Sequence, residues 1–263
     1  MPGTYAHYTF GKEVLKYAND EVGKIITDNL DLFFIGLHGP DILFYYKPLT
    51  IKNSINSLGC KIHHEKANIF FERAKKIISN SEDKDGYIAY IIGFICHFML
   101  DSECHPYINK ITKKENLSHT EIESEFDKLL LIRDGKDPFH IDLTNHLRID
   151  SRLSKYISPF FDIENKDVFK SIKCMKFYCS ILNSPNKLTR FMIFSSLKIF
   201  FIYDKIQGIF FHFKDNPKCK DICVNIETLY NNSINKTATV INDFYNSLKK
   251  DTPLSERFNR DFL

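Results

Sequence analysis

Tryptophan is absent from this chain of 263 residues, and its aromatic content rests on 24 phenylalanines and 13 tyrosines. No internal repeat, low-complexity tract or linker breaks the sequence, which excludes a repeat array or a tail-like chain. Apolar residues make up 43%, too many for a chain that stays unfolded. No uninterrupted apolar run reaches membrane-spanning length. The longest, Tyr87–Leu100, is broken by Gly93 and His97 and reads as a buried core helix. The N-terminus has no basic stretch followed by an apolar run and a small-residue cleavage site, so a cytoplasmic protein is expected. The seven cysteines are odd in number and scattered, which argues against a disulfide framework and for a reducing compartment. Cys219 and Cys223 have a ligand-like spacing, but no second pair completes it, and they read as buried thiols. A net charge of +3 gives no electrostatic argument for a nucleic-acid partner.

What is present is helical periodicity from end to end. Apolar residues recur at three- and four-residue steps over 10–28 and over 60–79. A central helix is predicted over 87–104, ending near Pro106, because the residue before proline avoids the α region. Ser118, with Glu121 three residues on, predicts a capped helix from His119 to about Arg133, stopped by Asp134-Gly135. Further helices are predicted over 150–158, 165–183, 186–206 and 221–249, with breaks at Asn183-Ser184-Pro185 and Asp215-Asn216-Pro217. Residues 36–41 and 136–147 read as loops. The fold class is therefore all-α, a compact multi-helix bundle. The simplest organisation is one domain over 1–263, with a metal-site half over about 1–147 and additional helices over about 148–263.

Nine of the ten histidines precede residue 147. His97 and Asp101 are four apart, as are His119 and Glu123, and on a helix that spacing puts both side chains on one face. An imidazole beside a carboxylate suits a divalent ion, zinc first. The bland reading of His97 and Asp101 is a local helix pair. Against it, the surrounding helix is apolar on nearly every side, and an unpaired buried aspartate is costly there. Gly93, one turn earlier, suits a close backbone approach. His105, His119 and Glu123 form a second candidate group. Read alone, His105 is a surface or capping histidine, and Glu123 is one solvated carboxylate among Glu121, Glu125 and Asp127. Asp41, after Gly39-Pro40, has the plain reading of a helix N-cap. His63 and His64 compete for one position, and the richer apolar face of His63 favours it.

Taken in order, His7, Asp41, His63 or His64, His97-xxx-Asp101, His105-Pro106 and His119-xxx-Glu123 resemble the zinc-dependent phospholipase C family, whose scaffold is shared with fungal single-strand nucleases. The resemblance covers roughly residues 2–125. It implies a bundle of that type, two to three zinc ions, and ligands His7, Asp41, His63, His97, Asp101, His105, His119 and Glu123, with His64 the substitute for His63. By the same resemblance Asp101 bridges two ions, and Asp41 orients the attacking water and accepts its proton. The interval between Asp101 and His105 is shorter than the family pattern. A third ion is held in the family by the free N-terminal residue, a role that falls to the amine of Pro2 once Met1 is removed.

The reaction implied is phosphodiester hydrolysis by a metal-bound hydroxide, on a phospholipid or another small phosphodiester. Tyr5, Tyr45 and Tyr46 are candidate aromatics for a cationic headgroup, or ordinary members of a tyrosine-rich chain. A single-strand nuclease is the second enzymatic reading, disfavoured by lysines spread along the chain. A helical protein that keeps its ligands without catalysis is the third. The sequence carries no signal of oligomeric state.

Overall fold

The computed structural model describes residues 3–48, 53–182, 186, 188, 189, 191–193, 195 and 210–263. The chain opens with α1 (Thr4–Leu15), α2 (Asp20–Asp28), α3 (Leu30–Gly36) and a 3-10 turn, η1 (Gly39–Tyr45). Next come α4 (Ser54–His64), α5 (Ala67–Ser79), α6 (Lys84–Glu115) and α7 (His119–Arg133). Then follow α8 (Ser151–Phe161), α9 (Asn165–Leu182), α10 (Cys219–Lys250) and a second 3-10 turn, η2 (Glu256–Asn259). No strand occurs among the described residues.

α6 is the axis of the bundle. It is apolar on every face from Ile88 to Leu100, so it must be covered all round. α1, α2, α3, α5, α7, α8 and α10 all pack against it. By length and composition it is the one helix among the described residues able to cross a bilayer, but 89% of its apolar stretch is buried inside the protein. The buried apolar residues form one connected cluster that runs from Tyr5 to Phe262. The tightest contact on α6 is with α3, where Gly36 meets Gly93. A Cβ on Gly93 would lie 2.2 Å from the Phe33 carbonyl oxygen, and one on Gly36 would lie 2.1 Å from that of Tyr90. Two bare glycines let the backbones touch.

Several helices depart from their predicted bounds. The periodic stretch 10–28 is two helices, because Asn19 caps α2 by accepting the Val22 N–H at 2.9 Å. The stretch 60–79 is broken at Glu65 and Lys66, both extended. Residues 36–41 are not an open loop, since α3 ends at Gly36 and η1 begins at Gly39. α6 does not stop at Pro106 but runs through it to Glu115. An internal proline removes one helical bond and costs about 3 kcal/mol. Burial of Cys104, His105 and Ile108 on either side of it offsets that cost. α8 likewise contains Pro159. α7 begins as predicted, with Ser118 accepting the Glu121 N–H at 3.1 Å. The breaks at 183–185 and most of the helix predicted over 186–206 lie outside the described residues.

Candidate metal centre

Running α6 through Pro106 puts His97, Asp101 and His105 on one face at four-residue steps, all three fully buried. Asp101 is the meeting point. His97 Nε2 lies 3.1 Å from its Oδ2, and His7 Nε2, from α1, lies 3.2 Å from its Oδ1. His63 Nε2, from the end of α4, is 3.9 Å from Oδ2, and His105 Nε2 is 4.0 Å from Oδ1. η1 delivers Asp41, whose Oδ1 lies 3.1 Å from His63 Nε2 and whose Oδ2 lies 3.9 Å from His97 Nε2. α7 adds His119 and Glu123, 2.8 Å apart, with His105 Nε2 3.8 Å from the same Glu123 oxygen. The shortened interval after Asp101 is therefore one helical turn, and it still brings His105 to Glu123. Three groups bring their donor atoms within 4.8 Å of one another: His7, His97 and Asp101; Asp41, His63 and His97; His105, His119 and Glu123.

Local structure explains how each side chain is aimed. Gly39 sits at φ +47, where a side chain is strained, and a Cβ there would fall 2.4 Å from the His97 ring. That glycine lets η1 turn Asp41 toward His97. Asp41 makes no capping bond, so its N-cap reading does not hold here. His63 Nδ1 donates to the Gly59 carbonyl at 2.8 Å, His97 Nδ1 to Leu37 at 3.2 Å and His105 Nδ1 to Phe262 at 2.5 Å. A carbonyl only accepts, so each neutral ring carries its proton on Nδ1 and presents a bare Nε2 inward.

The donor set fits zinc. The Nε2 atoms of His7, His63, His97 and His105, both Asp101 oxygens and Asp41 Oδ1 are buried without a hydrogen-bond partner. Several of these atoms approach within about 3.2 Å of one another but are not aligned for hydrogen bonds. Buried polar atoms left so are rare and costly. Ligands about 2.1 Å from a tetrahedral ion stand about 3.4 Å apart, so the spacing is that of atoms aimed at ions between them. Burial holds His105 down to about 3 and His119 to about 4, and it lowers His7 as well, so these rings are neutral at physiological pH. His63 is raised instead, because Asp41 outweighs the effect of its burial.

The profile of one family, zinc dependent phospholipase C, matches residues 6–179. The chain belongs to that family. No curated protein and no solved structure matches it. As a zinc-dependent phospholipase C relative, the chain is a hydrolase by family, and its imidazole and carboxylate groups suit the metal for which the family is described.

Other candidates lie elsewhere. His64 is exposed, gives its Nδ1 proton to the Cys60 carbonyl at 2.8 Å and joins none of the three groups. Pro2 is outside the described residues. Tyr5 is buried, its hydroxyl donates to Asp134 at 2.7 Å, and Lys136 covers its ring at 4.8 Å. The Tyr46 ring carries Lys47 at 5.2 Å and Lys170 at 5.5 Å. Tyr45 is half-buried, 3.6 Å from Cys179 Sγ.

Two contacts beside the centre join residues that are distant in the sequence. Asp127, read with the solvated carboxylates, is buried and accepts the backbone N–H groups of Tyr5 at 3.0 Å and Ala6 at 2.8 Å, which pins the start of α1 beside His7. Its place four residues after Glu123 on the same helix face was the available signal. His38 and His146 share a contact at 2.7 Å, and His146 stacks on Tyr8 at 4.1 Å. Nothing in the local sequence joins those three.

Proposed function

We propose that this protein is a zinc-dependent phosphodiester hydrolase of the phospholipase C type, built on two or three ions around Asp101. The observation that carries the reading is the set of buried Nε2 and carboxylate atoms that converge without hydrogen-bond partners, inside a chain of this family. His7, His63, His97, His105, His119, Asp41, Asp101 and Glu123 are the ligands in this reading. When bound, zinc supplies Lewis acidity, which acidifies water and polarises a phosphoryl oxygen.

The protein's own residues supply order and charge. Asp101 neutralises cationic charge at the centre, with four imidazoles within 4.0 Å of its oxygens. The backbone carbonyls behind His63, His97 and His105 lock the tautomer that leaves Nε2 as a donor of electrons. Asp41, beside His63 and His97, is the carboxylate that accepts the proton of an attacking water in this reading. The substrate class is a phospholipid or a small phosphodiester.

Purified, zinc-loaded protein assayed on phosphatidylcholine vesicles, a chromogenic phosphodiester and single-stranded DNA separates the readings. Release of diacylglycerol is the expected result. Digestion of DNA alone would make the protein a nuclease. Stoichiometric zinc with no turnover on any of the three would leave a metal-binding protein without catalysis.

A further inference from the structure

The last residues of the chain reach into the centre from outside the region that the family profile covers, which ends at 179. Phe262 is fully buried. Its carbonyl accepts the Nδ1 proton of His105 at 2.5 Å, and its own N–H donates to the His63 carbonyl at 3.3 Å. Its ring lies 5.4 Å from His63, 6.2 Å from His97 and 5.0 Å from Phe98. The segment is tied down along its length. The Arg260 carbonyl accepts the Ala67 N–H at 2.8 Å. Arg257 pairs with Glu103 at 2.6 Å and donates to Ser102 Oγ at 2.9 Å, both on α6 between Asp101 and His105. Phe258 is buried against Phe71 and Phe98.

We propose that residues 257–263 are a positioning strap for the metal centre, and that the Phe262 carbonyl sets the orientation and tautomer of His105. A backbone acceptor behind a ligating imidazole fixes which nitrogen is bare and raises its basicity. The two other rings so oriented take their carbonyls from Gly59 and Leu37, close in sequence to the ligands His63 and Asp41. His105 alone takes its carbonyl from the far end of the chain, 157 residues away. The same residue also closes over His63, so one segment holds a ligand from each of two groups. This inference rests on the reading of His105 as a zinc ligand.

Two measurements test it. The first needs no metal: ring nitrogen shifts of His105 in the full-length, zinc-free protein. A protonated Nδ1 with slow exchange is expected, and a protonated Nε2 overturns the proposal. The second compares zinc affinity, by chelator competition, between the full chain, a chain ending at Asp261 and Phe262→Leu. The shortened chain is expected to lose on the order of 10- to 100-fold in affinity for one ion, while Phe262→Leu, which keeps the carbonyl, stays within a few-fold. Equal affinity in the full and shortened chains overturns the strap, as does an equal loss in Phe262→Leu. If the shortened chain does not fold, the nitrogen shifts decide. Failure of the full chain to bind zinc at all would sink the functional reading instead and leave the His105 tautomer test standing.

Discussion

Remove the Asp101 carboxylate and the imidazoles of His7, His63, His97 and His105 lose the one acid they share, with Asp41 left beside His63 and His97 and Glu123 beside His105. Asp101→Ala is therefore expected to abolish zinc binding at more than one group. A ligand present at a hundredfold excess over its dissociation constant stabilises a fold by about 2.7 kcal/mol, and the variant should lose that increment. Its zinc-dependent rise in melting temperature should be well below that of the unaltered protein. An equal rise in the variant would show that Asp101 is not central. Asp127 makes a different demand. Burial pushes its carboxyl up to about 7, against the pull of the Tyr5 and Ala6 N–H groups. A free aspartate titrates near about 3.9, so between about 4 and about 7 the unfolded chain releases a proton that the native one keeps. Stability from this group is present in acid and falls as pH rises through that window, by on the order of 2–4 kcal/mol. Asp127→Asn should flatten the slope between about pH 4 and about pH 7 in urea unfolding, and parallel curves for the two proteins would refute the assignment.

At the scale of elements, the α3–α6 contact is the point least tolerant of change. A methyl group at Gly93 would meet the Phe33 carbonyl at 2.2 Å, too close for any rotamer to relieve. Gly93→Ala should cost about 2–4 kcal/mol and also loosen His97, one turn on. Thermal denaturation reads the first effect and zinc affinity the second. An unchanged melting temperature would mean that the helices separate freely. This glycine was legible in the sequence, as were the cap at Ser118 and the side-by-side placement of His97 with Asp101 on α6 and of His119 with Glu123 on α7, because each is a local pattern of spacing. The break between α4 and α5 was not legible. Neither glycine nor proline marks Glu65 and Lys66. The backbone groups exposed by that break find partners far away: the His63 carbonyl takes the Phe262 N–H, and the Ala67 N–H goes to Arg260. Periodicity cannot see a partner two hundred residues on. Pro106 misled for a related reason: burial on both sides carries a helix across a residue that would end it in isolation.

On the scale of the whole molecule, the connected core from Tyr5 to Phe262 supports the proposal that 1–263 is one domain. A single cooperative transition is expected in zinc-free buffer, with circular dichroism and tyrosine fluorescence changing together. Zinc should shift that transition upward without splitting it. Two separated steps would mean that the helices after 147 fold on their own. The 32-residue length of α6 has a consequence of another kind. His97, Asp101 and His105 hang from one continuous rod, and each four-residue step advances about 6 Å along it. The rod is a ruler, and its graduations cannot slide. One residue inserted between His97 and His105 would swing every later ligand by about 100° about the axis. A loop-built site absorbs such a change by bending, but this one loses its register at a stroke. Tolerance to insertion and deletion should therefore fall to nothing across those nine positions.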